Sequence, residues 1–291
     1  MAKVLITGYS GFIGSYILSN SPFHEFVKLD LRTSQPYVPN DVFSVIHLAG
    51  KAHDFSGKDN LDDYYKVNTE VTINLFDSFL ESSASVFIYI SSVKAVADCN
   101  VSQLKEIDLP IPQTHYGKSK LLAEQYILSK SIPNGKRIYI LRPAMVYGPG
   151  NKGNIDLLFK FVKLGLPWPL GSYKNKRSFC YVGNLEFVIN EIISDDNFCP
   201  GIYNIVDDGE VSTNELVHVL GDSINKKIII LNIPKPVVRF IARIGDLFKL
   251  PFNTDRLNKL TDNFTVNKDK LMRELNNKLP VNLIEGLKNL K

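Results

Sequence analysis

Three glycines at a spacing of three, Gly8, Gly11 and Gly14, follow a short apolar run near the start of the chain and constrain its fold more than any other pattern. The run over residues 3–7 predicts a buried strand, and the apolar periodicity over residues 12–18 predicts a helix. Gly8 permits a tight turn, Gly11 lets a pyrophosphate approach the backbone, and Gly14 lets the helix pack closely on the sheet. Because a helix N-terminus attracts phosphate, this unit predicts a dinucleotide site.

The second predicted strand, over residues 26–30, ends in Asp30, 16 residues after Gly14. A carboxylate at this position accepts hydrogen bonds from the adenosine ribose and repels a 2′-phosphate, which indicates NAD. Arg32 could instead bind a 2′-phosphate, so NADP stays open as the cofactor.

A second group of residues predicts chemistry. Tyr116 and Lys120 lie four residues apart in the predicted helix over residues 114–130, so they share one face. Ser92 follows the predicted strand over residues 86–90. A phenol is a poor acid or base at neutral pH, and we expect the Lys120 ammonium to lower the pKa of Tyr116. With the Ser92 hydroxyl bonded to the substrate oxygen, the group suits hydride transfer between a carbinol carbon and a nicotinamide.

These motifs together resemble those of the extended short-chain dehydrogenase/reductases, and among them the NAD-dependent epimerase/dehydratase group that acts on nucleotide sugars. The motifs are Thr7-Gly8-x-x-Gly11-x-x-Gly14, His47-Leu48-Ala49, Ser91-Ser92, Tyr116-x-x-x-Lys120 and Leu141-Arg142-Pro143-x-x-Val146-Tyr147-Gly148-Pro149. The resemblance implies an α/β fold: a Rossmann-type doubly wound parallel sheet over residues 1–150, and a smaller C-terminal α/β substrate domain over residues 151–291, partly interleaved with the first.

The resemblance also implies roles for particular residues. Ser92, Tyr116 and Lys120 would be catalytic, with Ser92 preferred to Ser91 because the family uses the last hydroxyl of the strand. The implied cofactor contacts are Gly8, Gly11, Phe12, Ile13, Gly14, Asp30, Arg32, Leu48, Ala49, Tyr116, Lys120 and Pro143. The implied substrate contacts are Ser92, Tyr116, Asn154 and Arg177. We assign the diphosphate to Arg177 because a guanidinium matches phosphate oxygens.

Two departures from the family pattern refine these expectations. Residues 33–42 are few and contain Pro36 and Pro39, so we expect the third strand to be missing. Val93 and Lys94 stand where family 4,6-dehydratases place Asp and Glu, which argues against that elimination. The expected activity is that of a C4 epimerase or 4-keto-reductase of a nucleotide-diphospho-hexose, preferably uridine-linked, in surface-polysaccharide sugar biosynthesis. The alternative is a non-catalytic NAD(P)-binding sensor or scaffold.

Composition excludes several other classes. The net charge of the 291 residues is +4 and the basic residues are interleaved with acids, so we expect no nucleic-acid partner. The three cysteines are far apart, which indicates reduced thiols and no metal site. The chain shows no signal peptide and no run of about 20 apolar residues, so we expect a cytoplasmic protein without stable membrane insertion. A homodimer stays open.

The rest of the apolar pattern predicts a simple order of elements. Further strands are expected over residues 44–50, 137–141, 201–206 and 227–231. Further helices are expected over residues 61–81, 155–164, 212–220 and 236–250. The last of these is apolar and basic. It suits a membrane surface, but we favour a packed helix of the second domain.

Overall fold

The computed structural model describes residues 2–22, 24–52, 61–99, 103–151 and 153–290. Its centre is a six-stranded sheet in the order β2-β1-β3-β4-β5-β8, with every neighbouring pair parallel. The strands are β1 (Ala2–Thr7), β2 (His24–Leu29), β3 (Ser44–His47), β4 (Val86–Ile90), β5 (Arg137–Pro143) and β8 (Gly201–Ile205). All residues of β3 and β4 are buried, as expected for a parallel sheet covered on both faces. The predicted doubly wound sheet is confirmed.

Side chains of the sheet alternate between two layers of helices. In β1, Val4 and Ile6 pack with α1 (Phe12–Asn20) and α6 (Val182–Ser194). Leu5 points to the other face, which is covered by α3 (Val71–Glu81) and α4 (His115–Ser129). The helix predicted over residues 61–81 begins with α2 (Asp62–Tyr65) and is continued into α3 by a π turn at Lys66–Glu70. Because successive side chains of a strand point to opposite faces, this alternation places apolar side chains on both faces of the sheet.

The strand order reverses between β1 and β3, because β2 lies on one side of β1 and β3 lies on the other. In open parallel sheets, ligands bind at the carboxyl ends of the strands at such a reversal. Residues 30–43 contain no strand, so the expected loss of the third strand is confirmed. Strand β8 comes from the C-terminal half of the chain yet joins this sheet. The division of the chain near residue 150 remains a proposal.

The C-terminal half has its own core, in which Tyr147, Phe159, Trp168 and Val217 are buried. A parallel pair, β6 (Met145–Tyr147) and β7 (Phe179–Tyr181), contributes to it. Besides α6, the helices of this half in the described ranges are α5 (Asn154–Leu164), α7 (Thr213–Ser223), α8 (Lys235–Leu247), α9 (Thr254–Thr261), α10 (Asp269–Glu274) and α11 (Leu283–Lys288).

The strand predicted over residues 227–231 is wrong. Ile230 and Asn232 form only isolated bridges, with Trp168 and Leu170. Trp168 N donates to the Ile229 carbonyl and the Trp168 carbonyl accepts from Leu231 N. The next donor to the Leu231 carbonyl is Gly171 rather than Leu170, so the pairing loses its register after one residue.

Helix α8 forms, but it packs along a narrow stripe. It buries Val238, Ala242 and Gly245. A wider apolar face remains exposed, so the expectation of a packed helix is only partly met. None of the helices in the described ranges is long and apolar enough to cross a membrane.

A buried ion pair joins α4 to β5. The Arg142 guanidinium lies 2.5 Å from the Glu124 carboxylate, and both side chains are almost inaccessible to solvent. Removal of one member of such a pair leaves an unpaired charge in the core. This lowers the free energy of unfolding far more than removal of an exposed charge does.

We therefore expect Arg142→Met to lower the free energy of unfolding by about 3–5 kcal/mol. Lys259→Met is the control, because it removes the cation of the exposed Lys259–Asp255 pair and should cause a much smaller loss. Urea denaturation measures both. Equal losses for the two variants would show that the buried pair does not stabilise the fold.

Candidate active site

The glycine turn lies at the carboxyl edge of the sheet, at the reversal between β1 and β3. Gly8 has a φ of +65°, and a Cβ on it would lie 2.6 Å from the backbone nitrogen of Ala49. A Cβ on Gly14 would lie 2.5 Å from the Gly8 carbonyl oxygen. Helix α1 begins after Gly11 without a side-chain cap. This open helix end suits a phosphate, since backbone N–H groups are the donors there.

The other predicted cofactor residues lie around this edge. Leu48 and Ala49 follow β3, and Pro143 ends β5. Phe12 and Ile13 lie in the first turn of α1, partly buried against the cores. The structure thus brings the glycine turn, which follows β1, and the ends of β3 and β5 to the same edge of the sheet.

Asp30 and Arg32 form an exposed ion pair just beyond β2. The Asp30 carboxylate accepts hydrogen bonds from the Arg32 side chain, at 2.8 and 2.9 Å, and from its backbone N–H. These hydrogen bonds from Arg32 lower the pKa of Asp30 to about 2. The two predicted determinants of cofactor choice therefore act as one unit.

Ser92 and Tyr116 meet at the end of β4. Ser92 caps a short 3₁₀ turn, Val93–Ala95, and its Oγ accepts a hydrogen bond from Lys94 N at 3.2 Å. Tyr116 lies in the first turn of α4, which Thr114 caps. Burial raises the pKa of Tyr116, and a hydrogen bond with Ser92 opposes that rise. The expectation of a lowered pKa is wrong here, because burial outweighs the polar neighbours.

Lys120 lies one helical turn after Tyr116 with only 4% of its surface exposed. Its Nζ donates to the Ile90 carbonyl at 2.9 Å and lies 4.8 Å from the centre of the Tyr89 ring. Burial lowers the pKa of Lys120 to about 8, and the negative charge of Glu124 opposes this effect. The site therefore holds a lysine whose charge depends on its surroundings.

The two serines after β4 have different partners. Ser91 Oγ donates to Glu124 Oε1 at 2.5 Å, so its hydroxyl belongs to the buried Glu124–Arg142 pair. Ser92 instead contacts Tyr116. This arrangement supports Ser92 as the hydroxyl beside the phenol.

Two buried polar residues near the site, Asn68 and His47, have structural partners. Asn68, in the π turn, donates to the Lys51 carbonyl at 3.0 Å and to Ser119 Oγ at 2.9 Å. It thus joins the segment after β3 to α4. His47 bonds Thr7 at 2.7 Å and Thr72 at 2.8 Å. Burial lowers the pKa of His47 to about 3, so it is neutral, and it packs at the end of β3.

Arg177 interacts with a second cation, Lys94, for which the sequence predicted no binding role. The Arg177 guanidinium donates to the Lys259 carbonyl. Burial lowers the pKa of Lys94, the negative charge of Asp98 opposes this fall, and the positive charge of Arg177 adds to it. Lys94 lies two residues after Ser92, and its ammonium donates to the Asp98 carbonyl and lies 4.5 Å from the centre of the Phe264 ring. The only indication of this in the sequence is that Lys94 stands where family dehydratases have a carboxylate. The side chain of Asn154 lies outside the described part of the chain.

Comparison with known proteins assigns the family. The profile of the 3-beta hydroxysteroid dehydrogenase/isomerase family matches residues 20–193, more than half of the chain. The chain belongs to this family. It is thus an extended short-chain dehydrogenase/reductase, as the motifs predicted.

The named relatives include sugar 4-epimerases and sterol-4-alpha-carboxylate 3-dehydrogenases. A UDP-glucose 4-epimerase of Vibrio cholerae is 30% identical, over 98% of this chain and 93% of the relative. An N-acetyl-alpha-D-glucosaminyl-diphospho-ditrans,octacis-undecaprenol 4-epimerase of Escherichia coli O157:H7 is 31% identical, over 81% of this chain and 76% of the relative. The crystal structure of UDP-glucuronic acid 4-epimerase from Bacillus cereus in complex with NAD superposes with a TM-score of 0.74 at 20% identity, covering 99% of this chain and 97% of that one. This superposition confirms the fold.

The Asp30–Arg32 pair yields a test of cofactor choice. Asp30→Ala removes the charge that repels a 2′-phosphate and frees the Arg32 guanidinium, so the ratio of NADP to NAD affinity should rise about tenfold or more. Titration calorimetry with both nucleotides measures this ratio. In Asp30→Ala/Arg32→Ala most of the gain should disappear. An unchanged ratio in Asp30→Ala would contradict the assignment of Asp30 to the ribose.

Proposed function

We propose that the chain is an NAD(P)-dependent C4 epimerase or 4-keto-reductase of a nucleotide-diphospho-hexose. The observation that carries the proposal is the placement of the Ser92 hydroxyl beside the Tyr116 phenol, one helical turn from the buried Lys120 ammonium. This group lies at the same sheet edge as the glycine turn. A sensor or scaffold protein would have no need of these three groups together, so the enzyme is the better reading.

The residues at the glycine turn fit a dinucleotide. Side chains at positions 8 and 14 would collide with the backbone of Ala49 and of the turn itself, so these glycines keep the turn tight, and α1 presents an uncapped N-terminus to a phosphate. Gly8, Gly11 and Gly14 would hold the diphosphate, and Asp30 with Arg32 the adenosine ribose. The bound nicotinamide would supply the acceptor and donor of hydride.

The protein's own side chains would transfer the proton of the sugar hydroxyl. Tyr116 Oη would take the proton of the C4 hydroxyl during oxidation and return it during reduction. Ser92 would donate a hydrogen bond to the same sugar oxygen. Since burial raises the pKa of Tyr116, the phenolate needs a compensating cation, which Lys120 supplies. Positioned proton transfer of this kind contributes about 10²–10⁴-fold to the rate.

Two basic side chains, Lys94 and Arg177, support a sugar diphosphate over a steroid. The positive charge of Arg177 acts on Lys94, and each cation also has a carboxylate nearby, Asp98 for Lys94 and Asp262 for Arg177. A guanidinium and an ammonium together can bind the oxygens of a diphosphate, which a steroid lacks. The similarity to a UDP-glucose 4-epimerase along nearly the full length of both chains supports the same substrate class.

A second candidate substrate is a sugar diphosphate carried by a polyprenol. The relative from Escherichia coli O157:H7 is named for such a substrate, and the exposed apolar face of α8 favours it. A screen of UDP-hexoses and polyprenyl-diphospho-N-acetylglucosamine, with and without added NAD and NADP, separates the possibilities. An epimerase turns over on bound cofactor alone, whereas a reductase consumes it at each turnover. A homodimer and a cytoplasmic location are retained as proposals.

Removal of the phenol hydroxyl tests the proposed chemistry. Tyr116→Phe should lower kcat at least about 10²-fold while NAD affinity changes less than about twofold, because the ring remains and only the proton carrier is lost. Steady-state kinetics and NAD titration measure both. Undiminished turnover in Tyr116→Phe would refute the assignment.

The neighbouring serines provide a matched pair for the same assay. Ser92→Ala should lower kcat much more than Ser91→Ala, since each removes one hydroxyl but only Ser92 contacts Tyr116. A larger loss of kcat in Ser91→Ala than in Ser92→Ala would assign the catalytic hydroxyl to Ser91 instead.

A further inference from the structure

Helix α8 is apolar toward solvent as well as toward the protein. Its solvent side carries Val237, Phe240, Ile241, Ile244 and Leu247, which recur at helical spacing and form what we call the α8 face. Phe240 is 64% exposed and Leu247 is 76% exposed. Large side chains of this kind in one contiguous row mark an interaction surface rather than scattered surface residues.

Basic residues flank the α8 face. Lys235, Arg239 and Arg243 recur along the adjoining side of the helix, and Lys249 follows its end. Asp246 is the one acidic residue in this segment of sequence. Its carboxylate accepts hydrogen bonds from Thr254 N at 3.0 Å and Thr254 Oγ1 at 2.5 Å, so it is engaged at the start of α9.

The charges next to this helix show what could cover the face. The acidic residue in the first turn of α9, Asp255, is paired with Lys259 at 2.7 Å. A second copy of the chain, related by a two-fold axis, would place the Arg239 and Arg243 flank against the same basic flank. Like charges across an interface oppose association. An anionic surface instead complements both the apolar row and the basic flank.

We propose that the α8 face binds the surface of a membrane that contains anionic lipids. The helix is 13 residues long, about 20 Å, and its apolar row would enter the boundary between head groups and acyl chains while the arginines pair with lipid phosphates. It lies on the bilayer, since no helix in the described ranges can cross one. This inference does not depend on the proposed reaction.

Vesicle sedimentation tests the inference with the full-length protein and no substrate. The protein should bind vesicles of one-third phosphatidylglycerol in phosphatidylcholine, and binding should weaken at least about tenfold in high salt or with pure phosphatidylcholine. Phe240→Ser/Leu247→Ser and Arg239→Glu/Arg243→Glu should each weaken binding at least about tenfold. Circular dichroism and thermal unfolding establish that these variants fold.

The control changes the net charge equally at a distant place. Lys278→Glu/Lys288→Glu, on exposed residues outside α8, should leave vesicle binding within about twofold of the wild type. Equal loss in this control would show that only net charge matters and would overturn the proposal. Absence of vesicle binding in the wild type would overturn it as well. So would a wild-type dimer that Phe240→Ser/Leu247→Ser converts to a monomer, since a second copy would then cover the face.

Discussion

The buried ammonium of Lys120 is the interaction on which the rest of the site depends. A buried cation is costly unless its surroundings compensate for lost hydration. Here the Ile90 carbonyl accepts its hydrogen bond, the Tyr89 ring lies beneath it, and Glu124 supplies the opposite charge. Burial still dominates and leaves the pKa of Lys120 near 8. The lysine is thereby held in a state in which small changes of charge nearby alter its protonation.

The same network fixes the geometry of the proton carrier. Glu124 is anchored by Arg142 on β5 and by Ser91 at the end of β4, so α4 is attached to two strands of the sheet. Tyr116 lies on that helix and Ser92 follows β4, so the two hydroxyls are set by the same attachment. Asn68 adds a link from α4 to the segment after β3. A rigid frame of this kind is what a positioned acid–base group requires.

Much of this arrangement could be predicted from sequence, because it follows from local pattern. The strands and helices from residue 2 to residue 143 follow apolar periodicity, and Pro36 and Pro39 indicated the missing strand. The proximity of Ser92 to Tyr116 follows from the parallel sheet. The raised pKa of Tyr116, the approach of Lys94 to Arg177, and the isolated bridge at Ile230 depend on residues distant in sequence, so periodicity could not show them. For α8, the pattern predicted a helix, whereas its neighbours decide how much of it is covered.

The most direct test of the central claim is a pH titration of the ¹⁵N-labelled Nζ of Lys120 by NMR, in the wild type and in Glu124→Gln. The titration midpoint should lie near pH 8 in the wild type. It should move to lower pH in Glu124→Gln, because the carboxylate that favours the charged lysine is removed. A midpoint at the ordinary lysine value of 10.5, or one that is the same in both proteins, would contradict the account.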